Sequence, residues 1–325
     1  MKAIVFAETG GPEVLRLADV PKPEVRPGMV LLKTHAIGVN FADTLFRQGR
    51  YAVAPKLPDT PGLEAAGVIE AIGDGVTNLR AGMRVATVAS KTYAEYCLAP
   101  AAQVVPLPDS VSFVDGAALL IQGLTAYHLL HTADTTGPGR TVLIHSAAGG
   151  VGLAAVQLAK AAGARVLATV SSDAKVALVK AHGADTVINY ATEKFADEAL
   201  RLTDGRGVDL VLDAVGKPTF EEGLRCLAPF GHLILYGSAG PPQCLHALPE
   251  VPEGERLHAA DRDQGLPRQD ARERRPLLRP HARRPAQAAH RQDLSARPGG
   301  RGAPLPRIAG VDREADPDPV KRGAR

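Results

Sequence analysis

Residues 145–155 read "HSAAGGVGLAA", and what stands on either side of them decides the fold. The apolar run "RTVLIHSA" (140–147) reads as a strand, and "GGVGLAAVQLAKAAG" (149–163) as a helix closed by Gly163. Ala147, Gly149 and Gly152 stand at the spacing G-x-G-x-x-G, with alanine in the first place. Where such a loop leaves a strand and opens a helix, small residues let a pyrophosphate approach closely. It meets the main-chain N–H groups of Ala148, Gly149, Gly150, Val151 and Gly152 at the positive end of the helix. Glycine spacing alone describes a tight strand-to-helix turn equally well; the flanking strand and helix are what favour a dinucleotide.

The alternation continues downstream. Strands are expected at "RVLATVSS" (165–172), "TVINY" (186–190), "VDLVLDAV" (208–215) and "HLILYGSAG" (232–240). Helices are expected between them at "DAKVALVKAHGA" (173–184), "EKFADEALRLTDGRG" (193–207) and "TFEEGLRCLAPFG" (219–231). Strands alternating with helices imply parallel βαβ units, an α/β class and a doubly wound sheet. Upstream the rhythm differs. "KAIVFA", "MVLLKTHAIGVN", "GVIEAIG", "RVATVAS" and "AEYCLAP" are short β-type runs punctuated by Gly and Pro, the pattern of a mostly antiparallel β domain. The expected organisation is a β domain over 1–118, a dinucleotide-binding domain over 119–243 and a compositionally distinct tail over 244–325.

The end of the second strand selects the cofactor. An NAD-type site wants an acid there, about 20 residues after the glycines, to accept from the ribose hydroxyl. This chain offers Ser171 and Ser172 instead, then Lys175 in the following turn. Hydroxyls plus an ammonium suit a 2′-phosphate and favour NADPH; an N-cap serine with a solvated lysine is the plainer alternative. Asp173 is expected in the first turn of the helix rather than on the ribose.

With 325 residues, 45% of them hydrophobic, the chain can bury a core and make two domains. Uninterrupted apolar runs such as "TVLI" are too short to span a bilayer, and "MKAIVFAETGG" reads as a first strand rather than a signal peptide. Cys97, Cys226 and Cys244 are too scattered for a disulfide framework or a four-cysteine zinc site. These features point to a reduced, soluble, cytoplasmic protein. The net charge of +3 arises in the tail: 17 of the 38 Lys and Arg, against 12 of the 35 Asp and Glu, fall from Cys244 onward. The remaining 21 bases and 23 acids give no ground for nucleic-acid binding by the body of the chain.

Five strings together resemble the zeta-crystallin-like quinone oxidoreductases of the medium-chain dehydrogenase/reductase superfamily: "IGVNFADTLFRQGRY" (37–51), "PGLEAAGVIEAIGDGV" (61–76), "LIQGLTAYHLL" (120–130), "SAAGGVGLAAVQLAK" (146–160) and "GADTVINY" (183–190). The resemblance runs from Met1 to about Gly240. It implies a GroES-like β domain joined to a Rossmann domain, an active site in the cleft between them, and a homodimer for an intact member. Zinc-dependent relatives carry Cys where this chain has Asn40, and His where Leu63 precedes Glu64; neither Asn nor Leu replaces those ligands, so no metal is expected. His35, His128 and His145 are read as structural. Without zinc to hold an alkoxide, a quinone or an α,β-unsaturated carbonyl is a better acceptor than a simple alcohol is a donor. The resemblance puts Asn40 and Tyr51 beside the nicotinamide, Thr125 in contact with the nicotinamide end, and Lys175 and Tyr190 around the adenosine phosphate. Asn40 would orient nicotinamide or substrate, and Tyr51 would donate to the developing oxyanion or simply pack in its loop. Asp43 is read as fixing the loop. Met83 stands where the superfamily usually has Asp, which puts the turn there in question. Enoyl reductase or alcohol dehydrogenase chemistry remains the alternative among enzymes.

The tail from Cys244 to Arg325 contains no Phe, Tyr, Trp, Met, Thr or Asn; 16 of its 82 residues are Arg and 11 are Pro. It shows neither apolar period and is expected to be disordered as written. A change of reading frame accounts for its composition. Residues 249–260, "PEVPEGERLHAA", back-translated and read from the second base of each codon, permit PKSLKVSGFML. Residues 310–321, "GVDREADPDPVK", permit ESTGKLILIP and then a stop. Both strings resemble the family's own C-terminal region, which places the shift between about Gly237 and Leu248. Two readings of another kind stay open: an RNA-binding protein, and an inactive product of a frame-shifted enzyme gene.

Overall fold

The computed structural model describes residues 1–237. The expected disorder and aberrant fold of 244–325 lie outside the described residues. The chain opens with a hairpin, β1 (Lys2–Val5) and β2 (Arg16–Asp19). It continues through β3 (Met29–Ile37), α1 (Phe41–Arg47), β4 (Glu64–Ile72), β5 (Arg84–Val88), β6 (Tyr96–Pro100) and β7 (Val104–Pro106). Strands β3 to β7 form an antiparallel sheet in the order β6-β3-β4-β5-β7. Its core gathers Val30, Leu32, Ala65, Ile69, Val85, Cys97 and Val104, the alternate residues of each strand. The turn before β5 forms despite Met83. Its amide donates to the Arg80 carbonyl at 3.3 Å, and its Sδ accepts the Arg80 amide at 3.3 Å, the place a carboxylate oxygen would take.

Helices α2 (Phe113–Ala118) and α3 (Leu124–His131) are joined by a π-turn over Leu119–Gly123 into one helical segment. By length and composition these 19 residues could cross a bilayer, as the core helices of soluble proteins also could, although they contain no long uninterrupted apolar run. Runs of consecutive apolar residues miss it because Asp115, Gln122 and His128 interrupt the pattern. The segment instead links the two sheets: Gly116 and Ala117 are buried at its start, and Ala126, Leu129 and Leu130 enter the core of the second sheet. The expected boundary at 118/119 falls inside it.

The second sheet is parallel: β8 (Thr141–Ile144), α4 (Gly150–Ala161), β9 (Arg165–Val170), α5 (Val176–Ala181), β10 (Thr186–Asn189), α6 (Phe195–Leu202), β11 (Val208–Asp213), α7 (Lys217–Arg225) and β12 (Leu227–Leu235). Its order is β10-β9-β8-β11-β12. Strand β8 reads as an unbroken apolar run because both its faces are covered. Val142 and Ile144 pack beside Leu153, Val156 and Ala159 of α4; Leu143 packs on the other face with Phe195 and Ala199 of α6. The order reverses at β8, whose neighbours are β9 and β11, so a crevice opens beyond the C-terminal ends of β8 and β11.

One helix is shorter than expected. The sequence pattern predicts helix throughout 219–231, but α7 ends at Arg225 and β12 begins at Leu227. Pro229 cannot continue a helix. The pairing of β11 with β12 is irregular between Val208 and Leu210, and Phe230 has φ 61° and is fully exposed.

Candidate active site

The loop after β8 builds the first half of the site. Gly149 caps α4 in extended conformation, with its amide on the Ser146 carbonyl at 2.9 Å and its carbonyl accepting from Leu153 at 2.8 Å. Gly150, Val151 and Gly152 form the first turn, whose free N–H groups face away from the helix body. A Cβ on Gly152 would press on the Ser146 carbonyl oxygen and lie 2.7 Å from Ala147 Cα, so only glycine lets the helix approach this closely. Beside the loop lies a cavity of about 240 Å³ lined by Ser146, Ala148, Gly149, Thr169, Val170, Ser171, Lys175 and Tyr190. Five of the residues expected to hold the cofactor thus meet there: Ala148, Gly149, Ser171, Lys175 and Tyr190. Lys175 Nζ donates to Ser171 Oγ at 3.1 Å. Lys175 sits in a short 3₁₀ turn, Asp173–Lys175, ahead of α5, and Ser172 makes no side-chain cap. Across the crevice, the buried Asp213 shapes the loop after β11, accepting from the amides of Val215 (2.7 Å) and Gly216 (3.0 Å) and from Thr219 Oγ1 (2.9 Å).

The second half centres on Asn40, which precedes α1 and is buried. Its Nδ2 donates to Glu64 Oε1 at 2.7 Å, and its Oδ1 accepts from Gln122 Nε2 at 3.2 Å. A flipped carboxamide would set oxygen against the Glu64 carboxylate, so the orientation is fixed. The main chain is held as well: the Asn40 amide donates to Asp43 Oδ2 at 2.8 Å, and that carboxylate also accepts from the Tyr93 hydroxyl at 3.0 Å. Asp43 therefore locks the start of α1, as a capping acid at the third helical position does. Glu64 is fully buried and takes the Ile121 amide on Oε2 at 2.8 Å. Burial pushes both carboxyls above their usual range, although Asn40 and Ile121 oppose this at Glu64, and Asn40 and Tyr93 at Asp43. Burial, with Asp43 adding to it, raises the Tyr93 phenol too. Gln122 ties this network to the dinucleotide loop, because its amide lies where a Cβ of Gly150 would stand.

Thr125 lies on α3, one turn beyond Gln122, and outside the cavity of the phosphate end. Tyr51 lies in the loop after α1, 38% exposed, and its hydroxyl has no hydrogen-bond partner among the described residues. Among the described residues, no three His, Cys, Asp or Glu side chains gather as a metal-holding group. Cys97 lies in the antiparallel core, where burial pushes its thiol up to about 11. His35 stacks on Phe113 at 4.6 Å, and His128 Nδ1 lies 2.9 Å from Thr132 Oγ1. His145 Nδ1 lies 2.9 Å from Thr169 Oγ1, and burial lowers its pKa against the opposing charge of Asp213.

Sequence reading missed Gln122, the partners of Glu64, and Asp213. One signal was present: "EAAGVI" places an acid at the head of a buried strand, where an unpaired carboxylate is costly and partners are therefore required. Gln122, inside the apolar run "LLIQGL", carried a weaker form of the same signal.

Known protein families match this chain over both sheets. The model for the alcohol dehydrogenase GroES-like domain matches residues 26–109, and that for zinc-binding dehydrogenases matches residues 150–255. The quinone oxidoreductase of Pseudomonas aeruginosa is 44% identical over 243 residues, 74% of this chain and 74% of its own. The human quinone oxidoreductase is 39% identical over 243 residues, with 74% of each chain covered. The Escherichia coli quinone oxidoreductase solved in complex with NADPH superposes with a TM-score of 0.71 and 37% identity over 73% of each chain. This chain belongs to the quinone oxidoreductase family of the medium-chain dehydrogenase/reductase superfamily.

Proposed function

We propose that the chain is an NADPH-dependent reductase of quinones and α,β-unsaturated carbonyls that works without zinc, in the reducing cytoplasm. The observation that carries this reading is the cavity in which Ser171, Lys175 and Tyr190 face the glycine loop, with hydroxyls and an ammonium where an NAD-type site has an acid. The relatives solved with NADPH support it. NADPH fits the residues present and supplies hydride when bound. The free N–H groups of residues 150–152 would hold its pyrophosphate beside Ala148 and Gly149, Ser171, Lys175 and Tyr190 its 2′-phosphate, and Thr125 its nicotinamide end. Asn40 gives one amide hydrogen to Glu64 and keeps the other to orient nicotinamide or substrate. The acceptor would gain hydride from NADPH at an electrophilic carbon, leaving the oxidised cofactor, and its oxygen would take a proton from water. Charge collecting on that oxygen needs only a hydrogen-bond donor, which Tyr51 provides. Asn40 and Leu63 stand where the resemblance puts zinc ligands in metal-dependent relatives, and the Asn40 carboxamide is engaged by Glu64 and Gln122, which favours an acceptor that needs no Lewis acid.

Titrating the full chain with NADPH and NADH, then following quinones, enones and alcohols, tests this. NADPH should bind at least about tenfold more tightly than NADH, and Lys175→Ala should remove most of that preference. Quinone and enone reduction should persist in a chelator. Preference for NADH, or alcohol oxidation that a chelator abolishes, would overturn the reading.

We further propose that residues from about 244 onward are the family's C-terminal region read in another frame. The matched relatives and this chain each leave about a quarter unmatched, as a frame change in one of two equally long genes would do. Resequencing the gene across the codons for Ser238 to Leu248 tests it; an intact frame there ends the idea.

A further inference from the structure

We propose that Asn189 sets the cofactor preference of this chain by holding the Asp173 carboxylate off the phosphate-binding end of the cavity. This rests on the NADPH reading above and names the residue that makes it possible. Lys175 is the one cation lining that cavity, and among the described residues it makes no ion pair. Its charge is therefore available to a phosphate. Two acids stand close by in sequence: Asp173, two residues from both Ser171 and Lys175, and Glu193, three residues after Tyr190. Asp173 is the only carboxylate in "TVSSDAK", and it opens the turn that follows the second strand. Turned toward the cavity, it would attract ribose hydroxyls and repel a 2′-phosphate.

Asn189, the last residue of β10 and buried, engages both acids. Its Nδ2 donates to Asp173 Oδ1 at 2.8 Å, while its main-chain amide donates to Glu193 Oε1 at 3.1 Å. The carboxamide is itself anchored, because its Oδ1 accepts the Ala191 amide at 3.1 Å and its carbonyl accepts from Thr192 and Glu193. With the oxygen committed to an N–H, the NH₂ must point at Asp173. Asn189 is thus a positioning residue: it touches no phosphate, and it acts by keeping one carboxylate in a hydrogen bond away from where phosphate binds.

The test measures dissociation constants of the full chain for NADPH and NADH, with thermal melting as the check on folding. Asn189→Leu should weaken NADPH by about tenfold and NADH by less than about threefold, and the NADPH penalty should shrink at about 0.5 M salt. Adding Asp173→Asn to Asn189→Leu should restore NADPH affinity to within about threefold of the parent. Equal losses for both cofactors, or no rescue by Asp173→Asn, would mean that Asn189 only shapes the turn and would overturn the proposal. Asp173→Asn alone supplies an arm that leaves Asn189 intact. It should move NADPH affinity by less than about threefold, and a tightening of about tenfold would show an unshielded carboxylate and refute the idea. A parent chain that prefers NADH would instead be the failure of the NADPH reading itself.

Discussion

The two ends of the site are made in different ways. At the phosphate end, the working groups come from three short stretches, 146–152, 169–175 and Tyr190, and much of the chemistry is main-chain N–H. At the redox end, a single carboxamide is held by residues far apart in sequence: Glu64, Gln122 and, through Asp43, Tyr93. The first kind of site needs only a strand that ends where a helix begins. The second exists only once the antiparallel sheet, α1 and the π-turn have all been brought together. A backbone site should therefore fail when backbone is displaced, and a side-chain site when one partner is removed.

The largest effect is expected where backbone meets backbone. Valine at Gly152 would drive its Cβ into the Ser146 carbonyl and to 2.7 Å from Ala147 Cα, and neither is a flexible side-chain end that can swing aside. Gly152→Val should cost about 3 kcal/mol in urea unfolding and weaken NADPH by more than about 100-fold in titration. Retained affinity would mean that the loop tolerates displacement, and the contrast between the two ends would fail.

The same contrast explains what could be read in advance. The glycine loop, the βαβ alternation and the Ser171–Lys175 pair were legible because each is a local pattern with a local physical cause. The end of α7 was misread because the amphipathic period ran on through Leu227, and only Pro229 signalled the stop. The long helical segment Phe113–His131 was missed for the opposite reason: Asp115, Gln122 and His128 broke the apolar run without breaking the helix. Asn40 was found through resemblance. Its partners could not be, since nothing local to "GVNFAD" says that a glutamine 82 residues later will donate to it. Tyr51 has no partner to argue from, and its role rests on the proposed chemistry.

A smaller effect tests the link between the two ends. Gln122 donates to Asn40, and its amide occupies the space above Gly150. Gly150→Ala should push that side chain away and break the bond that Gln122→Ala removes outright. Each should lower kcat for quinone reduction by about fivefold, the worth of one hydrogen bond of about 1 kcal/mol. The double variant should also lose about fivefold rather than the product, because both changes remove the same interaction. Additive losses would separate the loop from Asn40.

The smallest effect is a difference in slope with pH. In the parallel-sheet half, burial alone would raise Asp185 and Asp209, but Lys160 with the Val166 amide, and Arg206 with the Thr141 amide, outweigh it and hold both carboxyls low. Their stabilisation is present at neutral pH and is lost as the pH falls through the carboxylate range. Glu64 is displaced the other way, raised by burial from its ordinary 4.5. The folded state then takes up a proton there more readily than the unfolded chain does. That contribution is fully present below 4.5 and is lost as the pH rises through the raised value. On acidification from neutrality Glu64 acts against these two acids and offsets part of what Asp185 and Asp209 lose. Glu64→Gln removes the offset while leaving those acids in place. Urea unfolding from about pH 7 to pH 4 should therefore show the variant losing stability more steeply than the parent. Parallel slopes would mean that Glu64 titrates as it does in the unfolded chain, and that the hydrogen bonds from Asn40 and Ile121 compensate its burial in full.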